Sequence, residues 1–213
     1  GSYQLYDRFG CYDRNELEIQ LILFCEGGLI MKNEPALLEI FLTKLAFIFY
    51  GKSVYQAFAD RLPLNGRERV LDFGCGMGTV AYYVAKKLPH GHLTCLDISE
   101  RWLNACRKTL RSYDNIVYRQ CESPVLANES FDLVCCHFVL HDISDSELEK
   151  VIPALAKSLK PGGVLAFREP LNETGKISVI KNLLGQSRLS LKDSRITDIP
   201  LMGNALESVY IKQ

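Results

Sequence analysis

The sequence predicts an α/β fold built on a mostly parallel sheet, and three observations support this class. Short apolar runs alternate along the chain with segments whose apolar residues recur at helical spacing. The runs are rich in β-branched residues, as expected of strands that are buried on both faces of a parallel sheet. Several of them end in a carboxylate, and the first is followed by three glycines at alternate positions. The 213 residues are enough for one domain with a large core.

The first strand and helix flank a glycine-rich turn. Residues 70–73 form an apolar run that contains one acid, Gly74, Gly76 and Gly78 follow, and residues 80–88 continue at helical spacing. Glycine accepts positive φ and lets the backbone approach a ligand closely, and the N–H groups at a helix start favour polar or anionic groups. The spacing differs from the dinucleotide pattern G-x-G-x-x-G, because the third glycine comes one residue early.

The second unit is a strand within residues 92–99 that ends in Asp97. This acid lies about 20 residues past the glycines, where a carboxylate at a strand end can accept both hydroxyl hydrogens of a ribose. The alternative is a charge that the dipole of the next helix favours. Ser99 is the expected N-cap of that helix.

Two further strands and a helix continue the alternation. The strands are expected within residues 115–122 and 131–136, and residues 144–147 have the capping-box pattern of a helix start. Pro153 falls inside this helix, where it is expected to kink or split it. The Lys-Pro-Gly-Gly sequence of residues 160–163 should end the helix and turn into a fifth strand, Val164 to Phe167.

The region before these units is apolar and is expected to be helical. Residues 17–59 predict two or three amphipathic helices, and charged residues break the best apolar run, 36–50, short of the ~18 uncharged residues of a membrane span. We expect this region to form a lid over the site, with Tyr6 and Tyr12 reaching the substrate. Plain core packing and a homodimer face are the alternatives.

Composition limits the function classes. Lysines plus arginines equal aspartates plus glutamates at 25 each, so no bulk charge favours nucleic acid or an acidic membrane. The eight cysteines form no C-x-x-C pair, which indicates a reducing cytoplasm and free thiols. His90 and His92 have no suitably spaced cysteine or acid, and we predict no metal site.

Five segments, VLDFGCGMGT, LDIS, RQCES, FDLVCC and LKPGGVLAF, follow one another within residues 68–169. In order and spacing they resemble the class I S-adenosylmethionine-dependent methyltransferases. The resemblance implies a three-layer, doubly wound sheet of seven strands, whose last two are residues 195–199 and an antiparallel 206–211. It divides the chain into a helical cap, residues 3–62, and a core, residues 63–213.

The resemblance also implies a site for S-adenosylmethionine in the turn and at the strand ends. Its expected residues are Asp72, Phe73, Gly74, Cys75, Gly76, Gly78, Asp97, Ile98, Trp102, Glu122, Cys136 and His137. Asp72 would lie near the methionine moiety and Glu122 near the adenine amino group. Ile98 and Trp102 would flank the adenine, with core packing as the alternative for Trp102. Cys136 and His137 would contribute backbone carbonyls.

His141 is the candidate general base. It follows the fourth strand, at the edge where open α/β sheets bind ligands, and it resembles the His-Asp pair of plant-type and bacterial O-methyltransferases. A structural or acceptor-positioning role is the alternative. We therefore expect methyl transfer to a small molecule, with oxygen favoured as acceptor atom. The other classes are a non-catalytic cofactor- or partner-binding protein and a nicotinamide dehydrogenase, which the glycine spacing disfavours.

Overall fold

The computed structural model describes residues 34–121, 126–200 and 202–213. Within these ranges the chain forms one seven-stranded sheet with the strand order β3-β2-β1-β4-β5-β7-β6. The strands are β1 (Arg69–Phe73), β2 (His92–Asp97), β3 (Ile116–Gln120), β4 (Phe131–His137), β5 (Leu159–Pro170), β6 (Leu189–Ile199) and β7 (Gly203–Lys212). β1 to β5 are parallel, and β7 runs antiparallel to both β5 and β6. The expected fold class is confirmed.

Helices cover both faces of the sheet. They are α1 (Leu37–Tyr50), α2 (Ala57–Ala59), α3 (Thr79–Lys86), α4 (Glu100–Thr109), α5 (Asp145–Ser158) and α6 (Thr174–Gln186), with a π-helical turn (Gly51–Gln56) and a 3₁₀ turn (Leu140–Asp142). Successive strand residues point to opposite faces, so Leu71 packs in the core beside α5 and α6 while its neighbour Val70 packs beside α3 and α4. This alternation produces the three layers.

Two helix starts agree with their sequence signals. The Ser99 hydroxyl accepts from the Trp102 N–H at 3.0 Å and caps α4, and Ser144 with Glu147 forms the capping box of α5. Because both contacts span three residues, the local sequence was enough to predict them.

Two local details differ from the sequence expectations. Pro153 does not split α5, which runs without a break from Asp145 to Ser158. β5 begins at Leu159 instead of Val164, and residues 160–163 form an irregularity within it. The pairing with β4 changes register there, from Phe131 opposite Leu159 to Leu133 opposite Val164. The strand β5 thus advances five residues while β4 advances two, which leaves the extra residues of β5 without a partner in β4.

The described part of the helical region has two different environments. Val54, Phe58 and Leu62 are buried against the sheet layers, whereas α1 exposes large apolar side chains such as Leu37 and Phe49. Whether this region is a lid or a dimer face stays a prediction. No helix in the described ranges is long and apolar enough to cross a membrane.

The strand order reverses direction between β1 and β4, which lie side by side in the middle of the sheet. In open α/β sheets ligands bind at such a switch point, beyond the carboxyl ends of the strands. The segments that leave β1 and β4 at this edge are the glycine turn and residues 138–143.

Candidate functional site

The glycine turn is tightly held against β2. The N–H groups of Gly74 and Cys75 both donate to the Leu96 carbonyl, at 2.8 and 3.1 Å. Gly74 has a φ of 71°, and a Cβ atom there would lie 2.2 Å from Val139 Cγ2. The turn therefore packs directly against the segment that follows β4.

Gly76 is different, because its backbone borders open space. Its φ is 51°, and a Cβ atom there would meet nothing within 4 Å. At Gly78, by contrast, a Cβ would lie 2.7 Å from Cys106 Sγ. The turn is thus closed on its protein side and open at Gly76, which fits close backbone approach of a ligand at that residue.

Asp97 connects the turn to the start of α4. One carboxylate oxygen accepts from the Gly76 N–H at 2.8 Å and the other from the Ser99 N–H at 3.0 Å. Burial raises the pKa of Asp97, although the two backbone donors act to lower it. Each carboxylate oxygen has a second acceptor site, so the group can still receive hydrogen bonds from a ribose.

Asp72 lies at the same edge, on β1, and is almost fully buried. Its Oδ1 accepts a hydrogen bond from the Cys135 thiol, with 3.6 Å between sulfur and oxygen. Among the described residues, its Oδ2 is the only buried side-chain oxygen or nitrogen without a hydrogen-bond partner. Burial raises the pKa of Asp72 to about 7. An orphaned carboxylate oxygen beside an open turn fits a ligand with a positively charged amino or sulfonium group.

Several predicted residues can contact a ligand mainly through their backbone. The side chains of Phe73, Cys75 and Cys136 are buried in the core. Ile98 is 39% exposed and Trp102 is partly buried, so both side chains remain accessible.

The His137 side chain is engaged inside the protein. Its ring lies among those of Tyr55, Phe58 and Phe138, with centroids 4.5–5.5 Å apart. Burial and the neighbouring Arg168 hold the pKa of His137 well below its usual range. The neutral ring accepts from Arg168 Nη1 at 3.2 Å.

His141 forms a dyad with a carboxylate that the sequence analysis did not select. Its Nδ1 lies 2.5 Å from Glu169 Oε2, and Glu169 is fully buried. Glu169 Oε1 also accepts from the N–H groups of Val139 and Leu140, at 3.2 and 2.8 Å. The carboxylate therefore fixes both the ring and the backbone that carries it. Glu169 lies near the carboxyl end of β5, at the ligand edge. An acid at such a strand end is a signal that could have identified it.

The environment of His141 favours its charged form. Burial opposes the charge, but the hydrogen bond to Glu169 and the nearby carboxylates of Glu169, Asp142 and Glu173 outweigh burial and raise the pKa of His141. Nε2 faces the exposed Asp142 at 3.4 Å. With Nδ1 directed at Glu169, Nε2 is the nitrogen left for an acceptor.

A second buried ion pair, Arg168 with Glu207, was also missed. Arg168 donates to Glu207 and, through Nη1, to the Val54 carbonyl at 2.6 Å. Arg61 and Arg195 each lie 3.0 Å from the other oxygen of Glu207. This network attaches the π-helical turn to the sheet beside the site.

Three predicted site residues lie outside the described residues: Glu122, Tyr6 and Tyr12. Their assigned contacts with the adenine and the acceptor therefore stay predictions.

Comparison with known proteins shows similarity to methyltransferases. Residues 71–165 match the family model described as "Methyltransferase domain". Malonyl-[acyl-carrier protein] O-methyltransferase of Enterobacter lignolyticus is 36% identical over 52% of this chain and 42% of its own length. Trans-aconitate 2-methyltransferase of Paracidovorax citrulli is 30% identical over 58% of this chain and 51% of its own length. The chain thus spans about half or less of these relatives.

Solved structures agree on the fold. A SAM-dependent methyltransferase from Aquifex aeolicus superposes with a TM-score of 0.68 at 17% identity, covering 82% of this chain and 98% of that one. The N-methyltransferase NodS from Bradyrhizobium japonicum, in complex with S-adenosyl-L-homocysteine, has a TM-score of 0.59 at 19% identity, covering 74% and 85%. At these identities the likeness establishes the fold alone.

Proposed function

We propose that this chain, which belongs to the class I S-adenosylmethionine-dependent methyltransferases, transfers a methyl group to an oxygen of a small molecule. The observation that carries the choice of oxygen is the dyad of His141 and Glu169 at the ligand edge of the sheet. Such a pair is suited to removing a proton from a hydroxyl. The two relatives compared above are named for O-methylation of a malonyl carrier protein and for methylation of trans-aconitate.

The cofactor site is proposed to use the glycine turn and two acids. S-adenosylmethionine supplies an electrophilic methyl group on a sulfonium. Gly76 would let the backbone approach it, and Asp97 would accept hydrogen bonds from its ribose. Asp72 would face its charged amino acid end, where ionisation of the carboxyl would compensate the positive charge.

The dyad would perform the proton transfer. Glu169 accepts from Nδ1–H and so holds His141 in the tautomer whose Nε2 has a free lone pair. Nε2 would take the acceptor hydroxyl proton, and the resulting imidazolium would be stabilised by Glu169 and Asp142. General-base help of this kind typically contributes ~10²–10⁴-fold in rate. Alignment of acceptor and methyl group is worth a further ~7–11 kcal/mol.

A turnover assay tests this assignment. Formation of S-adenosylhomocysteine is followed with small phenols, hydroxy acids and dicarboxylic acids, with primary amines as the comparison class. We expect turnover with an oxygen acceptor, and turnover with amines alone would contradict the proposal. A protein that binds the cofactor but gives no product with any class would indicate a non-catalytic role.

Two substitutions then test the dyad. His141→Gln should lower turnover by ~10²–10⁴ and leave cofactor affinity nearly intact. Glu169→Gln should act similarly, because an amide N–H directed at Nδ1 would place the proton on Nε2 and remove the base. Glu149→Gln, at an exposed acid of α5, is the matched control. A higher KM with kcat retained would instead indicate an acceptor-positioning role for His141.

The cap is proposed to shape the acceptor pocket. Support comes from its first described residues, which lie beside the ribose acid: Ser99 Oγ donates to Glu34 at 2.9 Å and Arg101 donates to the Pro35 carbonyl at 2.6 Å. Deletion of residues 1–14 should raise KM for the acceptor while thermal stability and cofactor affinity are retained. Unchanged kinetics would remove Tyr6 and Tyr12 from the site.

A further inference from the structure

Three cysteine side chains converge behind the glycine turn. Cys75 lies in the turn, Cys95 on β2 and Cys106 on α4, and their Sγ atoms all lie within 4.8 Å of one another. Their residues are 6%, 0% and 0% exposed. The proposed methyl transfer uses none of these thiols. We propose that the three thiolates form a binding site for one soft, thiophilic d¹⁰ metal ion such as Zn²⁺, Cd²⁺ or Cu⁺.

The geometry needs little adjustment to hold such an ion. Metal–sulfur bonds of about 2.3 Å place three sulfurs about 3.8–4.0 Å apart around one centre. Sulfurs that already lie within 4.8 Å therefore have to move by less than about 1 Å. Three separate elements supply one sulfur each, so the fold itself brings the ligands together.

The chemistry of the donors selects soft ions. Thiolates prefer Zn²⁺ and Cu⁺ to the hard ions Mg²⁺ and Ca²⁺. Within the described ranges this is the one group of histidine, cysteine or acidic side chains close enough to hold an ion. The ion would therefore have three protein ligands. A water molecule that reaches it beside the slightly exposed Cys75 would be the fourth ligand.

Metal binding changes the charge of the cluster. Binding of a divalent ion releases three thiol protons and leaves a single net negative charge on the ion and its ligands. The stabilisation therefore comes from the three metal–sulfur bonds.

Titration of the reduced protein with Cd²⁺ tests the proposal. All proteins carry Cys11→Ser and Cys25→Ser, because these two cysteines lie outside the described residues. We expect a sulfur-to-metal charge-transfer band in the ultraviolet that saturates at one Cd²⁺ per chain. Addition of Zn²⁺ or Cu⁺ should displace the Cd²⁺. No band from the folded protein, or displacement by neither ion, would overturn the proposal.

Single substitutions identify the ligands. Cys95→Ser and Cys106→Ser should each weaken Cd²⁺ binding by more than the roughly 10–100-fold that loss of an outer-shell partner costs. Cys121→Ser, at a partly buried cysteine that follows β3, should bind Cd²⁺ like the parent. S-adenosylhomocysteine binding and thermal unfolding check that each variant is folded. Equal Cd²⁺ affinity in all three variants would mean that the thiols are merely packed together.

Discussion

Substitution of Gly74 by alanine tests the tight packing of the glycine turn. A Cβ at Gly74 would lie 2.2 Å from Cγ2 and 2.7 Å from Cβ of Val139, and the residue has a φ of 71°. Gly76 is the matched control, because its φ of 51° is similarly left-handed but its Cβ would meet nothing within 4 Å. The two variants therefore differ in steric overlap, whereas both place alanine at a left-handed φ.

The expected magnitude follows from this difference. Both alanines incur about 1–2 kcal/mol for the left-handed conformation, and both gain about 0.4–1 kcal/mol from a less flexible unfolded chain. Only Gly74→Ala adds overpacking, which costs about 1–3 kcal/mol. Gly74→Ala should thus be less stable than Gly76→Ala by about 1–3 kcal/mol, a difference in Tm of about 2–12 °C at this chain length.

Urea and thermal unfolding without cofactor measure the effect. A second variant, Val139→Ala combined with Gly74→Ala, removes both γ-methyl groups and should recover part of the loss relative to Val139→Ala alone. The Val139 Cβ remains, at 2.7 Å from the new methyl group, so recovery should be incomplete. Equal stability of Gly74→Ala and Gly76→Ala would refute the reasoning, as would the absence of coupling to Val139.

Three further predictions concern charged groups of the site. Because burial raises the pKa of Asp72 to about 7, the affinity of the parent for S-adenosylmethionine should rise with pH up to about that value. Calorimetry of Asp72→Asn should show no such dependence. The same pH dependence in Asp72→Asn and in the parent would contradict the assignment. Asp97→Ala should weaken S-adenosylhomocysteine binding by about 1.5–3 kcal/mol. Asp114→Ala, at an exposed acid before β3, should bind S-adenosylhomocysteine with the affinity of the parent. Equal affinity of the two variants would exclude the ribose contact. The pKa of His141 is higher in the folded state than in the unfolded chain, so the protonated ring stabilises the fold. This stabilisation is fully present below the unfolded-state pKa of roughly 6.5 and is lost as pH rises through the folded-state pKa. The stability advantage over His141→Gln, measured in urea, should therefore shrink above pH ~6.5, and a constant advantage would refute this linkage.

The sequence by itself determined the features that depend on neighbours along the chain. The alternation of strands and helices follows from apolar periodicity, and the caps at Ser99 and Ser144 follow from residues three positions apart. Asp97 could be selected as well, because an acid that closes a buried strand is visible in the order of the residues. The family resemblance extended these local signals to a seven-stranded sheet with an antiparallel last strand.

Tertiary structure decided which distant groups meet. Glu169 reaches His141 because β4 and β5 are parallel neighbours with His137 opposite Arg168, so the end of β5 lies beside the segment that follows β4. The convergence of Cys75, Cys95 and Cys106 likewise depends on how α4 packs against β2. Register and packing are set by the whole set of buried contacts and not by any short segment. The physical reason is that the chemical groups of a side chain follow from the residue type, whereas the distant residue that it contacts depends on the complete fold.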